Sequence, residues 1–144
     1  MGPALAAITL GAQGGGVAVV SRLLWRALRS RWGDAAPLVP LVSEDDASLS
    51  LESTTLDRMK FGTRLALEQA IGRSSWIVYS HLAVAQVQRF VPPGLRRPYA
   101  VFIHGIEVWR PLPIAHHAVR AGAALRLANS EHTAARVRGL HPSI

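Results

Sequence analysis

ALAAITLGAQGGGVAVV, residues 4–20, decides the fold. Residues 4–10 form a short apolar run, which suits a buried strand. Glycines at 11, 14, 15 and 16 follow. From residue 17 to 31 the spacing becomes helical, with Val17, Val20, Leu24, Ala27 and Leu28 on one stripe and Arg22, Arg26 and Arg29 on another. Strand, glycine turn, helix is the opening unit of an open parallel sheet. A targeting segment fits these residues poorly. Residues 1–21 carry no charge, so the positive start of a signal peptide is missing. A helix through Gly14, Gly15 and Gly16 would lose about 1 kcal/mol at each. Ala6 stands where N-myristoylation needs Ser or Thr.

Outward from this unit the alternation repeats. Gly33-Asp34 ends the first helix. Residues 38–42 form a second strand, which Pro40 confines to an edge or makes irregular. Residues 43–58 are rich in Ser, Asp, Glu and Thr and read as a mobile surface loop. A short helix follows over 61–71, closed by Gly72. WIVYS (76–80) is a buried strand, 82–91 a helix broken by Pro92-Pro93-Gly94, and YAVFI (99–103) a strand. Then come an Ala-rich helix over 114–125, a strand over 125–128 and a last helix over 131–139, for which Ser130 is a good N-cap. The strands are unbroken apolar runs. That predicts a Rossmann-like α/β fold, an open and mostly parallel sheet with helices on both faces. No linker divides the chain, so residues 1–144 form one domain.

The totals agree. A chain of 144 residues with 49% hydrophobic and 17% charged residues can bury a core and is too apolar for disorder. The absence of cysteine excludes disulfides and thiolate metal sites and fits a reducing cytoplasm. The net charge of +7 invites a nucleic-acid reading. The arginines are scattered, however, with no run of five or six like charges, which argues against it. The Arg22/Arg26/Arg29 stripe is either a solvated helix face or a surface that rests on anionic lipid at the inner face of a membrane.

Parallel open sheets bind ligands outside the carboxyl ends of their strands. Those ends carry Gly14, Gly15 and Gly16 after the first strand, His81 after the third, His104, Gly105 and Glu107 after the fourth, and Asn129 and Ser130 after the fifth. The glycine turn is either a phosphate cradle of backbone N–H groups or a bare tight turn. It lacks the Lys of a P-loop, and Val19 stands where a dinucleotide fingerprint needs glycine. His104 can hold a sugar hydroxyl or shuttle a proton near neutral pH, or be satisfied by loop carbonyls. Glu107 can hold ligand hydroxyls, orient His104, or sit solvated in its loop. His81 caps the next helix or joins the site. His116 and His117 point about 100° apart and cannot chelate one metal. Without clustered carboxylates or H-E-x-x-H no catalytic metal is expected, and there is no Gly-x-Ser-x-Gly elbow.

Three stretches resemble one family in order and spacing: GAQGGGVAVVSRLL (11–24), VFIHGIEVW (101–109) and LANSEHTAARV (127–137). They are similar to the Gly-Gly loop and first helix, the strand ending in His-Gly-x-Glu, and the Ala-x-Ser-x-x-Thr-x-x-x-Val stretch of the N-terminal domain of family 4 retaining GT-B glycosyltransferases. The resemblance implies transfer of a hexose from a nucleotide-sugar donor to an acceptor hydroxyl, with no resident cofactor or metal. It implies His104 as the catalytic residue at the reaction centre. Gly14, Gly15 and Gly16 would bind substrate, with Gly15 and Gly16 near the donor phosphates or the acceptor, and Glu107 and Ser130 would line the cleft. The family's second domain supplies a basic pair for the diphosphate and a Glu-x7-Glu stretch for the donor. Neither is present, and a leaving diphosphate needs strong charge stabilisation. The chain alone is therefore expected to be inactive, a truncated product or one half of a split enzyme. The alternative is a non-enzymatic α/β module that binds a phosphorylated or sugar ligand.

Overall fold

The computed structural model describes residues 1–42, 53–71, 74–109 and 114–140. Its strands are β1 (Ala4–Ala7), β2 (Leu38–Pro40), β3 (Ile77–Tyr79), β4 (Tyr99–Ile103) and β5 (Leu125–Ala128). All pair in parallel, in the order β2-β1-β3-β4-β5. The helices are α1 (Gly15–Trp32), α2 (Thr55–Ala70), α3 (Leu82–Ala85), α4 (Gly105–Val108), α5 (Ile114–Gly122) and α6 (Glu131–Leu140). This is the expected Rossmann-like α/β sheet. Pro40 sits on the edge strand, where its missing N–H costs no ladder bond.

The chain steps from β1 to β2 in one direction and from β2 to β3 in the other. With right-handed crossovers, that reversal puts α1 and α2 on opposite faces. Side chains alternate accordingly. Ala4, Ala6, Ile77, Tyr79, Val101 and Ile103 pack with Phe61 and Leu65 of α2, Leu82 and Val84 of α3 and Val119 of α5. Leu5 and Ala7 face Leu24, Trp25 and Leu28 of α1. The reversal makes the carboxyl ends of β1 and β3 the topological switch point, the place where open α/β sheets take ligands.

Several boundaries differ from the sequence reading. Residues 55–58 are helical, not loop, because Thr54 accepts from the Asp57 N–H while Asp57 accepts from the Thr54 N–H. This capping box starts α2 inside a polar stretch that has no apolar period of its own. The loop residues 43–52 and the closing Gly72 lie outside the described residues. The helix expected over 82–91 is one turn of α3 followed by a 3-10 turn, Gln86–Arg89, ahead of Pro92. Proline disfavours the α conformation in the residue before it, so the end tightens instead of continuing. The helix expected to reach 125 stops at Gly122, where Arg126 donates from Nε to Arg120 O and from Nη2 to Ala123 O. These bonds satisfy carbonyls at the helix end.

On α1 the inward stripe is Ala18, Ser21, Leu24, Trp25 and Leu28, and Ala27 faces solvent. Small side chains at 18 and 21 let the helix approach the sheet closely. The arginine stripe is also divided. Arg22 donates to Leu10 O at 2.6 Å, and Arg29 pairs with Asp34 and stacks over Trp25. Among the described residues no helix is long and apolar enough to cross a membrane.

Candidate functional site

The carboxyl ends of β3 and β4 bring His81, His104 and Glu107 together. Tyr79 pairs with Val101, so the residues just beyond these two strands are neighbours. His104 is the N-cap of α4, and Glu107 three residues on returns its carboxylate to the His104 N–H (Oε2, 2.8 Å), as in a capping box. Its other oxygen, Oε1, accepts from the Leu82 N–H at 3.0 Å. One carboxylate thus holds the starts of α3 and α4. The His81 and His104 rings stack with centroids 5.3 Å apart.

The same Oε1 lies 3.0 Å from His81 Nδ1. Nδ1 also accepts from the Ala83 N–H, so it presents a lone pair. Burial pushes the Glu107 carboxyl up to about 7, while its hydrogen bonds from His104 and Leu82 pull it back only in part. Burial, then the charges of His104 and His116, pulls His81 down to about 4. Both shifts favour the uncharged forms, so the contact is not a pair of full charges.

His104 itself is buried, and its Nε2 donates to Ser80 O at 2.9 Å. Because a carbonyl only accepts, the neutral ring carries its proton on Nε2. Ser80 Oγ meets Ser21 Oγ at 2.9 Å, and Ser21 donates onward to Val17 O. A buried polar chain thus ties α1 to the ends of β3 and β4, across the switch point.

Of the expected site residues, His104 and Glu107 meet at one place, and His81 joins them. Glu107 does not orient the His104 ring: it reaches the His104 backbone and faces His81. Ser130 accepts the Thr133 N–H at 3.1 Å and acts as the cap of α6, and its side chain shares Thr133 with Asn129. It stays beside the cluster, because Thr133 Oγ1 would lie 3.2 Å from a Cβ on Gly105.

The glycines divide in role. A Cβ on Gly14 would meet Ala18 at 2.5 Å and Thr9 at 2.6 Å, so Gly14 is required for packing. Gly15 has φ +58° and ψ −147°, a region nearly closed to other residues. Gly16 faces open space. Among the described residues no group of three or more His, Asp or Glu side chains could hold a metal ion.

Sequence reasoning missed an apolar groove beside this edge. It lies between α2, α3 and the 3-10 turn that follows, with a volume of ≈ 880 Å³. Ile8 and Leu41, just past β1 and β2, form its floor, Phe61, Val84 and Val87 its walls, and Arg58 and Ser53 are polar members of its lining. Its signal was the apolar face of α2, hidden while residues 53–58 were read as loop. No protein-family model, curated protein or solved structure matches the chain.

Proposed function

We propose that the chain is the acceptor-side domain of a retaining glycosyltransferase that moves a hexose from a nucleotide sugar to a hydroxyl, acting with a donor-binding domain. The observation that carries this reading is the His81–Glu107–His104 cluster at the carboxyl ends of β3 and β4, beside the switch point. A histidine at a strand end can hold a sugar hydroxyl and move a proton near neutral pH. His104 is the catalytic residue of this reading, with Glu107 positioning it through its backbone. At Gly15 and Gly16 the space a Cβ would occupy is open, which supports close approach of a ligand to the turn. The adjoining groove supports an acceptor with an apolar part, its hydroxyl turned toward the strand ends.

The test is hexose transfer by the chain assembled with its donor-side domain. His104→Ala should lower turnover on the order of 10²-fold or more, the usual worth of a positioned acid or base. Unchanged turnover with an intact fold would remove His104 from the mechanism.

A further inference from the structure

A second polar site lies away from the histidine cluster, on the face covered by α5 and α6. There β4, β5 and the two helices line a half-open cavity of ≈ 150 Å³. One water needs only about 10–15 Å³, so a polyatomic ion fits. Arg120, Arg126 and Arg138 line it, together with apolar side chains such as Ile103 and Val137, and among the described residues no Asp or Glu does. We propose that this cavity is a binding site for a phosphate-class oxyanion, either inorganic phosphate or the phosphoryl group of a small phosphomonoester, held by Arg120, Arg126 and Arg138.

Arg120 carries the inference. It is 1% exposed, and its Nε and Nη2 are buried with no hydrogen-bond partner among the described residues. A buried charge is ordinarily paired, because desolvation is otherwise uncompensated. Nε and Nη2 form one edge of the guanidinium fork, the edge that grips two oxygens of a phosphate or carboxylate. Arg126 sits beside it with its own guanidinium fixed by Arg120 O and Ala123 O. Burial, and then the Arg126 charge, lowers the pKa of Arg120. Arg138, on the exposed side of α6, brings a third positive charge to the opening. The described carboxylates are engaged elsewhere: Asp34 with Arg29, Asp57 with Thr54, Glu68 with Ser74 and Glu107 with His81. Glu131 stands at the far end of α6 from Arg138. Three like charges around an apolar-walled cavity repel one another, and an oxyanion with several acceptor oxygens answers both the repulsion and the open donors.

Thermal unfolding of the intact chain at constant ionic strength tests the site, with inorganic phosphate, glycerol phosphate and chloride as probes. Phosphate or the monoester should raise the melting temperature saturably where chloride does not. A response to inorganic phosphate alone identifies the free ion. An equal or larger response to glycerol phosphate identifies a phosphorylated ligand. Arg120→Met keeps the apolar stem and removes the charge, and should weaken binding at least about tenfold. Arg138→Gln changes an exposed residue that the fold tolerates, and should weaken binding several-fold when followed by broadening of the phosphorus resonance. It decides the matter if Arg120→Met fails to fold. No saturable response beyond chloride overturns the proposal. So does a response that persists in Arg138→Gln and in a folded Arg120→Met, since the anion then sits elsewhere. None of these outcomes depends on the transferase reading.

Discussion

Glu107 is the residue on which the most depends, because one carboxyl group meets two backbone N–H donors and the His81 ring. Its elevated pKa and the depressed pKa of His81 have opposite consequences for stability. Glu107 moves from 4.5 to about 7 on folding, so the folded chain holds the extra proton between those values. Its contribution is present below pH 4.5 and lost as pH rises through 7. His81 moves from 6.5 down to about 4, so the folded chain lacks a proton there, and its contribution is lost as pH falls through that window. From about 4.5 to 6.5 the two nearly cancel in the native chain. Single variants should expose them, because neither shift is caused mainly by the other partner. Glu107→Gln should gain stability as pH rises from about 4 to 6.5. His81→Asn, whose Oδ1 can still cap α3, should lose stability from about 4.5 to 7. Each change should be at least ~1 kcal/mol, given ~1.4 kcal/mol per pKa unit. Denaturant titrations across this pH range measure it, and parallel profiles for all three proteins would refute the opposed shifts of Glu107 and His81. The placement of His104 and Glu107 at a strand end was legible because the strand-end rule needs only sequence. The Glu107–His81 contact was not, because it depends on β3 and β4 being neighbours in the sheet.

Among the elements, the glycine turn and the start of α1 give the sharpest contrast. Gly14 and Gly16 are two residues apart and look alike in sequence. Gly14 packs where a methyl group would overlap Ala18 and Thr9, whereas Gly16 meets nothing. Gly14→Ala should therefore destabilise the chain by about 1–3 kcal/mol through overpacking. Gly16→Ala, in the first turn of α1, should stabilise it by up to ~1 kcal/mol, since alanine loses less backbone entropy in a helix. Urea unfolding of the two variants distinguishes them, and equal effects would contradict this division of roles. The same scale shows what the pattern could reveal. β4 matched its apolar run residue for residue, because a strand buried between two neighbours and helices needs unbroken apolar side chains. The start of α2 was hidden because Thr54 and Asp57 announce it by capping and not by periodicity. Arg120 is one of the scattered arginines, and nothing in the local sequence pattern sets it apart. Only the packing of α5 against the sheet reveals that it is buried.

For the whole molecule, strand order sets where the fold is most resistant to opening. β1 and β3 have a strand on either side, and β1 is fully buried. β5 is an edge strand, paired with β4 alone, and Leu125 at its start is 47% exposed. β2, the other edge, is three residues long and ends at Pro40. A strand held on both sides and sandwiched between helices opens only when the domain does, whereas an edge strand frays. Amide exchange should therefore be slowest at Ala6 and Ile77–Tyr79 and faster at the outward-facing amides of β5, by on the order of 10²-fold or more. Phosphate, if it occupies the arginine cavity, should slow exchange at β5 and α6 while leaving β1 unchanged. The histidine cluster grows from the ends of the stable central strands, so its geometry should persist when the edge opens. Exchange that is uniform across the sheet, or fastest at β1, would contradict the hydrogen-bonded order β2-β1-β3-β4-β5 on which both sites depend.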